Sequence, residues 1–180
     1  MSGSTYQAFS YLISTLIDLY VTAILLRLLL QLVKADFYNP LCQFLVLVTN
    51  PVVIPFRRII PAIGPVDTAS IVVMILLEAA GVFLITTLGV ATLTPAQVLI
   101  FSCVKLLMMV LLTYTVLIIV SVILSWVGQR ARHPIIPLIY QLTQPVLRPF
   151  RKVIPAIGGM DLSPLFALIT IRFLMLLLGW

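Results

Sequence analysis

Arginine and lysine are the residues best placed to do chemistry here, and they are unevenly spread. Arg57 and Arg58 stand in Pro-Phe-Arg-Arg (55–58). Arg151 and Lys152 stand in Pro-Phe-Arg-Lys (149–152), with Arg148 just ahead. Clustered cations of this kind hold phosphate or carboxylate oxygens, arginine through a bidentate fork. Five more ionisable residues, Asp18, Arg27, Glu78, Lys105 and Arg172, interrupt long apolar runs. Such charges are costly in lipid and turn toward a bundle interior, a partner charge or water. Catalysis has less to work with. His133 is the only histidine, which argues against a histidine metal centre or a His-based triad. Cys42 and Cys103 carry no Cys-x-x-Cys or Cys/His grouping and read as small core hydrophobes. Asp36, Asp67 and Asp161 are the carboxylates near the basic stretches, without a nucleophile set or carboxylate pair. We expect no catalytic residues, no metal and no cofactor.

The elements that must position these charges follow from composition. Of 180 residues, 62% are apolar and 9% charged, with mean hydropathy +1.24. Soluble domains run about 45–50% apolar and about 25% charged. A soluble enzyme, a disordered chain and a disulfide scaffold are excluded, and an integral membrane protein remains. Four runs, 9–33, 66–88, 98–127 and 162–179, suit a bilayer core, which takes about 20 residues of helix. In lipid they must be helices, so the expected class is an all-α membrane protein with four transmembrane helices. The third run exceeds the need and must tilt. The first lacks a small-residue cleavage pattern and reads as part of the protein rather than a signal peptide.

Lys34, Arg57 and Arg58 lie between the first two runs. Arg130, Arg132, Arg148, Arg151 and Lys152 lie between the last two, and residues 1–8 and 89–97 hold no Lys or Arg. Eight against zero predicts cytoplasmic basic segments and both termini outside.

The basic segments are copies. Aligned at an offset of 94, Pro51, Pro55, Phe56, Arg57, Pro61, Gly64 and Asp67 meet Pro145, Pro149, Phe150, Arg151, Pro155, Gly158 and Asp161. This predicts a tandem duplication, 1–94 and 95–180, each copy being span, basic segment, span. An even number of spans per copy makes the repeats parallel, about a pseudo-two-fold axis along the membrane normal. The offset equates Glu78 with Arg172 and predicts that they pair across that axis.

Segments 40–60 and 134–154 are apolar but carry prolines, which remove backbone donors. Each predicts a proline-broken interfacial helix. In the second, Gln141, Gln144, Arg148 and Arg151 share one face, with Leu138, Leu142, Val146 and Phe150 elsewhere. The first has fewer polar residues and could sink deeper or be partly re-entrant. Gly64 and Gly158 suit turns with positive φ, and Asp67 and Asp161 suit capping the helix that follows. The plain reading of the cations is stop-transfer charge. The sharper one is a site for anionic lipid headgroups or a protein partner, formed by Arg57, Arg58, Arg148, Arg151 and Lys152. No nucleic acid contact is expected. Asp18 and Arg27 fall on opposite faces of their helix, and Arg27 and Lys105 can snorkel outward. The intramembrane charges are structural glue or a polar path for an ion. A pore would need a homo-oligomer of so short a chain.

Asp-Leu-Tyr (18–20), Leu-Arg (26–27), Asp-Phe-Tyr-Asn-Pro (36–40) and both Ile-Pro-Ala-Ile-Gly segments resemble the YggT, or YlmG-related, family of bacterial and plastid membranes. Ser163-Pro164 follows the family motif, whereas the first copy has Ala69-Ser70 there. The resemblance implies a small inner-membrane protein without known enzymatic activity. It also implies associations with osmotic tolerance and potassium handling, with division sites, and in plastids with cytochrome assembly and nucleoid distribution. An organiser or assembly factor and an oligomeric ion or osmolyte conductor are the readings to separate.

Overall fold

The computed structural model describes residues 3–88, 93–127, 133–154 and 161–179. Among them are six helices: α1 Gly3–Leu32, α2 Pro40–Arg57, α3 Thr68–Leu88, α4 Pro95–Val127, α5 Ile135–Val153 and α6 Ser163–Leu177. No strand occurs among these residues, only an isolated bridge between Ile63 and Val66. Four helices are long and apolar enough to cross a membrane: Thr5–Leu32, Pro40–Arg57, Thr68–Thr87 and Pro95–Trp126. They leave Leu16, Leu19, Phe83, Leu112 and Ile123 exposed, a surface suited to lipid rather than water. The set differs from the expected one. α6 has 15 residues, about 22 Å of helix, short of both the 162–179 run and a core about 30 Å thick. α2 enters the set instead.

The expected proline breaks do not occur. α2 runs unbroken through Pro51 and Pro55, and α5 through Pro145 and Pro149. All four prolines are exposed. Prolines four residues apart share a helix face, so the missing donors and freed carbonyls stay on the outer side.

α2 is capped locally at its start and tied at its far end to the end of α1. Lys34 closes α1 with φ 53, and the Ala35 N–H donates back to the Leu30 carbonyl at 2.9 Å, a Schellman-like stop. The Asn39 N–H donates to the Asp36 carbonyl, and Asn39 Oδ1 accepts from the Leu41 N–H at 3.0 Å to cap α2. At its far end, Arg57 Nη2 reaches Gln31 Oε1 of α1 at 3.4 Å and pairs with Asp67 at the start of α3. Length alone would let α2 cross a bilayer, and these ties hold its far end beside the place where α1 stops and α3 starts. We call this the basic end.

α1 and α3 are antiparallel neighbours. At the opposite end Tyr6 Oη donates to the Ile85 carbonyl at 2.9 Å. Between them Val21, Ile24, Leu25 and Leu28 share a core with Val73 and Met74, and with Cys42, Leu45 and Val53 of α2. A second core joins Met108 and Ile118 of α4 to Leu147 of α5 and to Ala167, Ile171 and Met175 of α6. The two halves meet where α3 packs on α4 and where Leu138 and Leu142 of α5 enter the first core. Asn39 Nδ2 also donates to the Pro134 carbonyl at 2.6 Å. Cys42 is buried as expected. Cys103, expected as a core hydrophobe, is instead exposed on α4, where its side of the helix is left uncovered by the described residues.

Gly81 sets the α1–α3 spacing. A Cβ there would lie 2.9 Å from Ile17 Cδ1. Gly81→Ala asks only a flexible side-chain end to move, and should leave thermal stability in detergent nearly unchanged. Gly81→Leu should cost about 1–3 kcal/mol by overpacking. An unshifted melting curve for Gly81→Leu would show that the two helices are not this close.

Candidate functional site

At the basic end, a tight turn at Gly64, with φ +59, brings the chain from α2 into α3. Arg57 Nε donates to Asp67 Oδ2 at 3.0 Å, and Nη2 adds a second, shorter bond to the same oxygen. Ser70 Oγ donates there too. Burial pushes the Asp67 carboxyl up, but the bonds from Arg57 and from the Ser70 hydroxyl and N–H hold it below the usual carboxylate value. Ten residues again separate Arg151 from Asp161, and Arg151 Nε lies 2.8 Å from Asp161 Oδ2. Asp161 Oδ1 accepts from the Ser163 N–H at 2.9 Å. Its carboxyl, pushed up by burial, is likewise held low by Ser163 and Arg151. Asp67 engages Ser70 in the first turn of α3, Asp161 accepts from the first N–H of α6 from the position before its N-cap Leu162, and each also clamps an arginine. The clamp went unread, although its signal, an Arg and an Asp ten apart in both copies, was present.

The five predicted headgroup-binding residues therefore divide. Arg57 and Arg151 are charge-neutralised. Arg58, Arg148 and Lys152 are exposed and form no ion pair among the described residues, although Arg148 Nε donates to Gln144 Oε1 at 3.3 Å. α5 buries Leu138, Leu142 and Leu147 and exposes Gln141, Gln144, Arg148, Arg151 and Lys152, the expected amphipathic division. Gly158, Arg130 and Arg132 lie outside the described residues.

Arg27 does not snorkel outward. It is 4% exposed, roofed by α2, and its Nη1 donates to Thr49 Oγ1 at 2.7 Å. That hydroxyl in turn donates to the Leu45 carbonyl at 2.6 Å. Arg27, Gln31, Asn50 and Arg57 line an open cavity of about 710 Å³. A second cavity of about 530 Å³ is lined by Ser121, Ser125, Arg151 and Asp161. The offset of 94 maps Arg27 to Ser121, Gln31 to Ser125 and Arg57 to Arg151.

A separate polar cluster lies within the helices. Lys105 of α4 is 2.8 Å from Glu78 Oε2 of α3 and also pairs with Asp18 of α1. Glu78 is fully buried. Its contact with Lys105 is an ion pair without hydrogen-bond alignment, and Oε1 has no hydrogen-bond partner. Lys105 thus turns inward rather than snorkelling, because two carboxylates on neighbouring helices attract it. The expected Glu78–Arg172 pair does not form. Glu78 is taken by Lys105, and Arg172 lies exposed on α6, which packs on α4 and α5. An apolar groove of about 390 Å³ runs beside the cluster, lined by Asp18, Lys105, Met108, Met109 and Met175. Among the described residues no group of three His, Cys, Asp or Glu could hold a metal ion.

Residues 6–88 and 100–180 match the model of the CCB3/YggT family. The chain belongs to this family. It is 43% identical over 167 residues to an uncharacterised protein of Pseudomonas aeruginosa, covering 91% of this chain and 84% of that one. It is 42% identical over 178 residues to an uncharacterised protein of the proC 3′ region of Vibrio alginolyticus, covering 96% and 94%. It is 42% identical over 156 residues to the uncharacterised protein YggT of Escherichia coli, covering 87% and 81%. These relatives bear out the family resemblance. No solved structure matches the chain.

The three-charge cluster makes an asymmetric prediction. Lys105→Met strands two carboxylates and should destabilise the purified protein by about 3–5 kcal/mol. Glu78→Gln leaves Lys105 and Asp18 as a matched pair and should cost less. Combining the two should recover part of the Lys105→Met loss, whereas strict additivity in detergent melting would rule out the contact. Arg172→Leu should cost least.

Proposed function

We propose that this CCB3/YggT family protein is a non-enzymatic organiser or assembly factor of the bacterial inner membrane. In this reading α2 and α5 lie on the cytoplasmic leaflet and contact anionic lipid headgroups or a protein partner. The observation that carries it is the division of the cations. Arg57 and Arg151 are spent on Asp67 and Asp161, while Arg58, Arg148 and Lys152 stay exposed on the two proline-bearing helices. Each free cation near an anionic leaflet contributes about 1 kcal/mol. Exposed proline faces favour the same placement, since the freed carbonyls need water that the hydrocarbon core lacks.

The chain is read as two parallel tandem copies, 1–94 and 95–180. Supporting this are the offset of 94, the paired Arg–Asp clamps, and the family's matching of residues 6–88 and 100–180. Crossings are assigned to α1, α3, α4 and α6, with local thinning accommodating the short α6. The start of α1 and the end of α6 then face outward. Roles in osmotic tolerance and division or envelope organisation rest on family resemblance alone.

One observation favours the second reading, an oligomeric channel or transporter for potassium or an osmolyte. Asp18, Glu78 and Lys105 gather charge inside apolar helices. Against it, Lys105 already fills the space between the two carboxylates.

Two measurements test the proposal. With Cys42 and Cys103 replaced by Ser, single cysteines at Ser4 or Thr94 should react with an impermeant maleimide in intact cells, and one at Arg132 should not. The reverse pattern would invert the topology. Phosphatidylglycerol should be enriched among lipids co-purifying with the protein. Changing Arg58, Arg148 and Lys152 together to Gln should reduce that enrichment. Potassium flux through protein-containing liposomes, with no lipid enrichment, would favour the conductor instead.

A further inference from the structure

We infer that the cavity under α2 is a discrete phosphate-binding pocket, with Arg27 as its anion-holding residue, distinct from the exposed cations of α2 and α5. The inference rests on the membrane placement proposed above. It deepens that reading by assigning a saturable site inside the fold.

Three observations carry it. Arg27 is 4% exposed, yet no carboxylate among the described residues forms an ion pair with it. Its one hydrogen-bond partner among them is the neutral Thr49 hydroxyl. A guanidinium has five N–H donors, and a buried cation without a counter-charge is costly. Asp67, which shares the cavity, is already engaged by Arg57 and Ser70. Second, Arg27 lines the cavity of about 710 Å³, and no guanidinium nitrogen of Arg27 is among the fully buried, unpartnered side-chain atoms of the described residues. Gln31 and Asn50 add neutral donors, while Phe37 and Ile54 form an apolar wall. Arg27, Arg57 and Asp67 together carry one net positive charge, which suits a singly charged phosphate diester. Third, the corresponding cavity at α4 and α5 has Ser121 in place of Arg27. A cation is therefore not needed merely to support this helix arrangement.

The oxyanion could belong to a lipid headgroup or to free phosphate. Native mass spectrometry of the detergent-solubilised full chain separates these sources. The probes are dioleoylphosphatidylglycerol, dioleoylglycerol, which lacks phosphate, and inorganic phosphate. We expect one saturable phosphatidylglycerol adduct, with dioleoylglycerol binding about tenfold more weakly, as befits the loss of a charge-assisted hydrogen-bond set. Arg27→Gln should weaken the adduct about tenfold. Ala62 is exposed and lines the same cavity, so Ala62→Trp should block it without removing a buried charge. That variant reports even if Arg27→Gln does not fold. Competition by millimolar inorganic phosphate would show that the oxyanion alone is recognised. Binding without such competition would assign the site to the lipid headgroup. Equal phosphatidylglycerol binding by wild type and Ala62→Trp overturns the pocket, as does dioleoylglycerol binding as tightly. Loss in the Arg58, Arg148 and Lys152 triple variant but not in Ala62→Trp removes the pocket and leaves the surface reading standing. Loss in Ala62→Trp but not in the triple variant does the reverse.

Discussion

A charge placed among apolar helices has to be met by another polar group, and this fold is arranged around that constraint. Moving a carboxylate or ammonium out of water costs several kcal/mol even after relaxation. Glu78 is fully buried, and Lys105 reaches it from the next helix while also holding Asp18 of the first. One ammonium thereby fixes the relative rotation of α1, α3 and α4. Those helices are apolar nearly all round, so hydrophobicity alone would leave their rotation almost free. In lipid, apolar surface gives little preference for one neighbour over another. Polar contacts and close approaches such as Gly81 on Ile17 supply the specificity.

The same constraint explains the Arg–Asp clamps. α2 buries Cys42, Leu45 and Val53 against α1 and α3, and polar ties fix its position on them. α2 is held by Arg57 bridging Gln31 and Asp67, and by Tyr20 donating to the Val48 carbonyl at 3.1 Å. Asp67 and Asp161 each serve two ends at once, closing the first turn of one helix and the last turn of another. In the first copy that dual use fits a turn with positive φ at Gly64.

Much of this was legible in the residues. Composition gave the class, and the long runs gave α1, α3 and α4 within a few residues. The aspartates' capping role followed from their position ahead of a run. What could not be read was rotation and reach. The offset put Glu78 and Arg172 at equal depth, but depth says nothing about which way a helix turns. Lys105 looked free to snorkel because its partners are 27 and 87 residues away in the chain. Arg27 looked surface-bound because nothing in the sequence announced that α2 would roof it. The prolines misled for a related reason. Spaced by four, they cost a helix one face of donors rather than its continuity.

Two polar layers result, and their separation is functional argument in itself. On α3 Glu78 stands eight positions after Ser70, and on α1 Arg27 stands nine positions after Asp18. At 1.5 Å per residue the layers stand about 12–14 Å apart, with Val21, Ile24 and Leu25 of α1 packed into the core between them. A continuous ion path would need polar groups bridging that interval, and the α1–α3 core there is built of apolar side chains. In the inner layer Lys105 is held by Asp18 and Glu78. The outer layer, by contrast, keeps Arg27 at an open cavity and three cations exposed. Under the proposed placement, this asymmetry would put the capacity to bind at one face of the membrane and the internal cohesion deeper within it. That division suits a protein that holds something at the surface more than one that passes something through.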